Sequence, residues 1–138
     1  MVNTINMQDM RHLNLFAQVT RINTRFCFPY NEAIMFCVPK PMIFKAVGKG
    51  AGNIKKLNEI LGKRIKIIAS PRGIEDAKSF IEEIVKPVTF NNLEINDKEI
   101  ILTAGSQSKA ALIGRNKRRL LEMQEIVHDF FGKEFRII

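Results

Sequence analysis

Cysteine is scarce in this 138-residue chain, which has only Cys27 and Cys37. Both lie in apolar, strand-like segments, and no other Cys or His stands at a spacing that completes a metal-ligand set. Two reduced, part-buried thiols are expected, with no metal and no cofactor; a cross-strand disulfide is the alternative in a hyperthermophile. Long apolar runs are missing as well. Nowhere do eighteen apolar residues follow one another, which excludes a transmembrane helix on hydropathy. The opening MVNTINMQDM has no basic stretch leading into an apolar block, as a secretory signal would. The expectation is a soluble, cytoplasmic protein without a membrane partner.

Catalytic signatures are equally thin. His12 and His128 are far apart, and neither falls into a recognisable pairing with a Ser or Cys nucleophile. The stretch GKGAGNIKK lacks the Gly-Lys-Ser/Thr ending of a P-loop. No enzymatic activity and no small-molecule substrate are expected.

The other shortage is acid. Fourteen Asp and Glu stand against twenty-two Lys and Arg, giving a formal charge of +8. Such an excess concerns partners rather than fold, and RNA, DNA and acidic surfaces all qualify. The hydrophobic fraction of 46% is enough for a real core. The imbalance is also uneven along the chain. From Lys40 to Lys66 eight Lys or Arg face Glu59 alone, and from Gly105 to Leu121 no acid occurs. By contrast, Ile74 to Val85 carries Glu75, Asp76, Glu82 and Glu83.

An internal repeat organises these clusters. VGKGAGNIKKLNEILGKRIKII, Val47 to Ile68, aligns with IGRNKRRLLEMQEIVHDFFGKEFRII, Ile113 to Ile138. Each opens on an aliphatic residue and a glycine, continues through basic residues into an amphipathic helix, and closes on Gly-Lys and two isoleucines. The second helix is longer by about one turn. Each repeat is preceded by two β-rich runs: TRFCFPY with EAIMFCV, and PVTFNNLEI with KEIILTA. The turn-like PYNE and NDK join them. A helix precedes each pair, with Met10, Leu13, Phe16 and Ala17 in the first and Ile74, Ala77, Phe80, Ile81 and Ile84 in the second. The order is helix, strand, strand, helix, helix, strand, twice. This is an α/β (α+β) pattern with a small three-stranded sheet in each unit. ASPRG, Ala69 to Gly73, marks the boundary, giving units 1–70 and 71–138. So short a linker suggests a fixed relative orientation. The last strand runs to Ile138, so the second unit is expected to close with nothing to spare.

The glycine turns carry the candidate site. Gly48 should end a brief helix over Pro41 to Val47, because glycine accepts the positive φ that stops helices. Lys49, Gly50 and Ala51 form the turn, and Gly52 or Asn53 opens the next helix on its apolar face Ile54, Leu57, Ile60 and Leu61. Free amides and the positive end of the helix dipole collect there, and Lys49, Lys55 and Lys56 add charge. In the second unit Gly114 ends the helix, Arg115, Asn116 and Lys117 turn, and Arg118 and Arg119 enter the next helix. Cations at a helix N-terminus cost about 0.3–1 kcal/mol each, so their recurrence points to an anionic ligand.

VGKGAGNIKKL resembles the Gly-x-x-Gly core of a KH domain, and LIGRNKRRL resembles a second. The element order is that of the type II arrangement. Two such units with almost no linker resemble the short archaeal NusA-like transcription factors. The resemblance implies tandem KH domains that bind single-stranded RNA, with the backbone clamped by the turn. Carried over, the turns are Gly48-Lys49-Gly50-Ala51 and Gly114-Arg115-Asn116-Lys117, with Asn53, Lys55, Lys56, Arg118 and Arg119 beside them. Both lack the fourth glycine. The resemblance implies a role in transcription elongation or termination, with RNA polymerase as a second candidate partner. An adaptor docked on the polymerase and a factor in ribosomal RNA assembly are the alternatives. The aliphatic neighbours Ile54, Ile65, Ile67, Leu120, Phe135 and Ile137 are assigned to the core, as are the ten phenylalanines in the main, which show no RRM-like surface pattern.

Overall fold

The structure, a computed structural model, describes residues 7–138. It divides between Ser70 and Pro71 into two compact units. Both are α+β, with the KH-like order of elements and one three-stranded sheet each.

The first unit begins with helix α1, Met7–Thr20. The Thr20 hydroxyl donates to the Phe16 carbonyl at 2.8 Å and accepts the Ile22 amide at 3.1 Å, closing the helix. Strands β1, Phe26–Tyr30, and β2, Ala33–Val38, pair antiparallel. Their two-residue loop, Asn31-Glu32, has φ of 50° and 62°, the twin left-handed geometry that matches the twist of a tight hairpin. Pro29, which cannot donate to a ladder, sits in β1 at the sheet edge. After a short 3-10 turn, Lys40–Met42, come helix α2, Ile43–Val47, and helix α3, Gly52–Leu61. Strand β3, Arg64–Ala69, then pairs parallel with β2, setting Ile34 beside Ile65 and Phe36 beside Ile67.

β2 is the central strand and is buried at every residue. Phe36 stacks on Phe16 of α1 with ring centroids 4.4 Å apart. Ala46 of α2 and Leu57 of α3 complete this core, with Ile54 and Leu61 packed against it. Ile60 departs from the expected apolar face and is 54% exposed. At 100° per residue it points roughly a quarter turn away from the mean direction of Ile54, Leu57 and Leu61.

The second unit repeats this plan. A 3-10 turn, Ile74–Asp76, leads into helix α4, Ala77–Val85, which buries Ala77, Phe80, Ile81 and Ile84. Strands β4, Asn92–Ile95, and β5, Glu99–Thr103, pair antiparallel. The Asn96 side-chain oxygen accepts both the Lys98 and Glu99 amides at 2.9 Å and so builds their turn. Helices α5, Ser106–Ile113, and α6, Arg118–Phe131, precede strand β6, Glu134–Ile137, which pairs parallel with β5. α6 has fourteen residues against ten in α3, the extra turn expected from the aligned repeats. Gly62 and Gly132 end the two helices at nearly the same angles, φ 65°, ψ 23° and φ 66°, ψ 27°.

Candidate nucleic-acid interface

The two glycine turns are the same turn built from different side chains. Gly48 has φ 80°, ψ 163° and Gly114 has φ 74°, ψ 174°. Two residues on, Gly50 and Asn116 take φ 62°, ψ 28° and φ 56°, ψ 28°. Next, Ala51 and Lys117 take φ 58°, ψ 29° and φ 60°, ψ 21°. The hydrogen bonds match as well: Gly48 N–H donates to Phe44 O and Gly114 N–H to Ala110 O, both at 3.0 Å. Ala51 and Lys117, where a fourth glycine was missing, thus adopt left-handed backbone themselves and become the N-caps of α3 and α6.

The first glycine of each turn is required for space as well as for φ. A Cβ on Gly48 would lie 2.9 Å from Asn53 Cγ and 3.0 Å from the Asn53 backbone nitrogen. A Cβ on Gly114 would lie 2.9 Å from Arg119 Cγ. Asn53 and Arg119 stand five residues after their glycines and do the same work. Asn53 Nδ2 donates to the Lys45 and Ala46 carbonyls, at 3.3 and 3.1 Å, and Arg119 Nη1 donates to the Ala111 carbonyl at 2.9 Å. Each ties the end of the helix before the turn to the helix after it. Sequence reasoning placed both among the ligand-contacting groups; the structure gives them this intramolecular bond. The signal was present in the aligned repeats, since the two residues share one position, but the partner carbonyls lie seven or eight residues back.

The third position of the turn behaves differently. A Cβ on Gly50 would meet nothing within 4 Å, so the protein itself does not need glycine there for room. Lys49, Gly50, Lys55 and Lys56 are exposed, as are Arg115, Asn116, Lys117 and Arg118. Among the described residues, Lys49, Lys55, Lys56, Arg115 and Lys117 make no ion pair. No side chain caps the N-terminus of α3 or of α6, which leaves first-turn amides for water or a ligand. Each unit therefore presents an exposed bend at the positive end of a helix, flanked by cations, with the Ala51 and Lys117 amides closed back on the Gly48 and Gly114 carbonyls. That arrangement attracts phosphate oxygens.

Comparison with known proteins bears on both fold and family. No family model matches the chain. A probable transcription termination protein NusA of Methanococcus vannielii is 29% identical over 97% of this chain and 79% of its own length. Proteins of the same name from Halococcus morrhuae and Thermoplasma acidophilum are 23% and 21% identical over 91% and 94% of this chain. They are covered over 95% and 90% of their own lengths. Over most of its length this chain is similar to archaeal proteins named NusA. Its fold is also that of a solved structure, the crystal structure of APE1850, with a TM-score of 0.66 and 21% identity over 97% of this chain and 99% of the other.

One grouping in the NusA-like fold was invisible in the sequence. Asp9 and His12, one turn apart on α1, meet Cys27 of β1, with ligand-type atoms of all three within 4.8 Å of one another. The histidine and cysteine thus do come together, contrary to their separation in sequence. Their chemistry is nevertheless that of a quiet thiol. Burial, aided by the Asp9 charge, pushes the Cys27 thiol up to about 12, whereas reactive cysteines have lowered values. Burial also lowers His12, outweighing the Asp9 carboxylate, with Lys63 adding to the downward shift. Among the described residues no fully buried side-chain nitrogen or oxygen lacks a partner. Cys27 and Cys37 are both free thiols; Cys27 pairs in register with Phe36 and Cys37 with Phe26, which puts the two sulfurs on opposite faces of the sheet. Among the described residues no helix is long and apolar enough to cross a membrane.

Proposed function

We propose that this NusA-like chain is a single-stranded RNA-binding protein of the cytoplasm, acting in transcription elongation or termination. The two modules are residues 1–70 and 71–138. The turns Gly48–Ala51 and Gly114–Lys117 hold phosphates of an unpaired strand, and Lys49, Lys55, Lys56, Arg115, Lys117 and Arg118 supply the surrounding charge. Asn53 and Arg119 shape the turns from within. Neither module performs catalysis. RNA polymerase is the expected protein partner, since the relatives' names speak of transcription termination.

The observation that carries this reading is the recurrence of one strained bend. Three positive-φ residues in four, at matching angles, appear twice in the chain, each time beside exposed cations. Strained backbone persists where surrounding structure enforces it, and a repeated strain with repeated charge favours a repeated ligand. Bases of an unpaired strand can be splayed for recognition, which a duplex does not allow.

The test is a double substitution in each turn, Lys49→Asp with Gly50→Asp, and Arg115→Asp with Asn116→Asp. Both should fold and lose affinity for single-stranded RNA. If about five phosphates are neutralised, log affinity should fall against log salt with a slope near −3.5. Undiminished binding by both variants would overturn the clamp. RNA binding that is weak and indifferent to these residues would point instead to an adaptor on the polymerase.

A further inference from the structure

Phe44 is 92% exposed, on a protein whose phenylalanines are otherwise largely core. It stands on α2, one helical turn before Gly48, whose amide donates to its carbonyl. The core does not lack for side chains there. Met42, Ile43, Ala46 and Val47 fill the inward positions of this segment, leaving Phe44 and Lys45 outward. Phe44 is therefore not a displaced core residue, and its outward ring gains nothing from packing within its own unit.

Three observations say what it meets. Its surroundings in sequence are basic: Lys40, Lys45 and Lys49 are all exposed, and no acid occurs between Lys40 and Asn58. It precedes the glycine turn by a single helical turn, about 5–6 Å along the helix axis, so base and phosphate contacts would lie side by side. The second unit supplies a comparison. The position fixed by the same glycine hydrogen bond is Ala110, also exposed, so the aromatic is specific to the first unit. A flat apolar ring in a basic surface fits a nucleobase better than an acidic peptide, because the base brings a π-face with its phosphate charge.

We propose that Phe44 is a base-stacking platform, which makes the first unit the one that grips a nucleotide by base as well as by phosphate. The second unit holds backbone alone. This rests on the RNA-binding reading above and assigns it a residue that a purely electrostatic clamp would not use.

The experiment uses the full chain and a short unstructured RNA. Phe44→Ala should lower affinity about tenfold, the usual effect of losing one stacked base, with an unchanged salt slope and thermal midpoint. Phe44→Trp should retain affinity and places the only tryptophan in the protein. Its fluorescence should be quenched on titration with RNA, and not with a polyphosphate that has no bases. Ala110→Phe serves as the reciprocal variant and should gain affinity. If Phe44→Ala binds RNA like the parent while the Lys49/Gly50 double variant does not, the stacking assignment is wrong and the clamp stands. If neither substitution matters, both fall together.

Discussion

Gly48→Ala tests whether the glycine turn is held by conformation and space, as the geometry requires. Gly48 sits at φ 80°, ψ 163°, a region that only glycine enters readily. Forcing alanine into it costs about 1–3 kcal/mol. The new methyl would also lie 2.9–3.0 Å from Asn53 Cγ, N and Nδ2. The side chain can swing aside, but only by giving up its bonds to the Lys45 and Ala46 carbonyls, together worth about 1–2 kcal/mol. The backbone nitrogen belongs to α3 and cannot move independently. The sum is about 2–5 kcal/mol, or a fall of about 10 °C or more in the midpoint of the first unit. Gly50→Ala is the control. Its φ 62°, ψ 28° is ordinary left-handed space, already occupied by Ala51 next to it, and its Cβ position is open. It should cost about 1 kcal/mol. Thermal unfolding followed by far-ultraviolet circular dichroism separates the two. A Gly48→Ala protein as stable as the parent, or Gly50→Ala equally damaging, would refute the reasoning.

The remaining expectations concern single groups. Arg119→Met should lose about 1 kcal/mol by removing the bond to the Ala111 carbonyl, while Lys117→Met should leave stability nearly unchanged and weaken RNA binding; urea titration and filter binding distinguish them. At pH 8 only about one Cys27 in ten thousand is thiolate, given a value pushed to about 12, and Cys37 is buried and shifted upward too. Both should therefore resist a thiol reagent until denaturant is added, and rapid labelling of the native protein would contradict this. His12 is lowered in the folded state, so the unfolded chain takes up its proton first. Its contribution is intact above the ordinary value of 6.5 and is lost as pH falls through 6.5 toward the folded value. Midpoints measured from pH 7.5 to 5 should fall less steeply for His12→Gln than for the parent; equal slopes would count against the assignment.

Much of the fold can be read from short stretches of chain, since a few residues specify each feature. A glycine flanked by the end of one apolar face and the start of another stops a helix wherever it occurs, and Gly48, Gly62, Gly114 and Gly132 do so. Asn31-Glu32 and Asn96 turn their hairpins with their own backbone and side chain. The doubled order of elements follows from comparing the chain with itself. What escapes is whatever depends on which face a side chain presents. α2 has five residues, too few for a period to show whether Phe44 points in or out, so a composition-based reading sends it to the core. Ile60 obeys helical spacing loosely enough to join an apolar list and still face water.

The sequence alone settled the repeat, the punctuation and the concentration of cations at two glycine bends, because sterics and charge act between near neighbours. Tertiary structure decided who touches whom. It sent Asn53 and Arg119 back to carbonyls of the preceding helix, brought Asp9 and His12 to Cys27, and left Phe44 outside. Those outcomes rest on how helices pack across a sheet. That packing is set by the summed burial of many side chains, which no short stretch of chain contains.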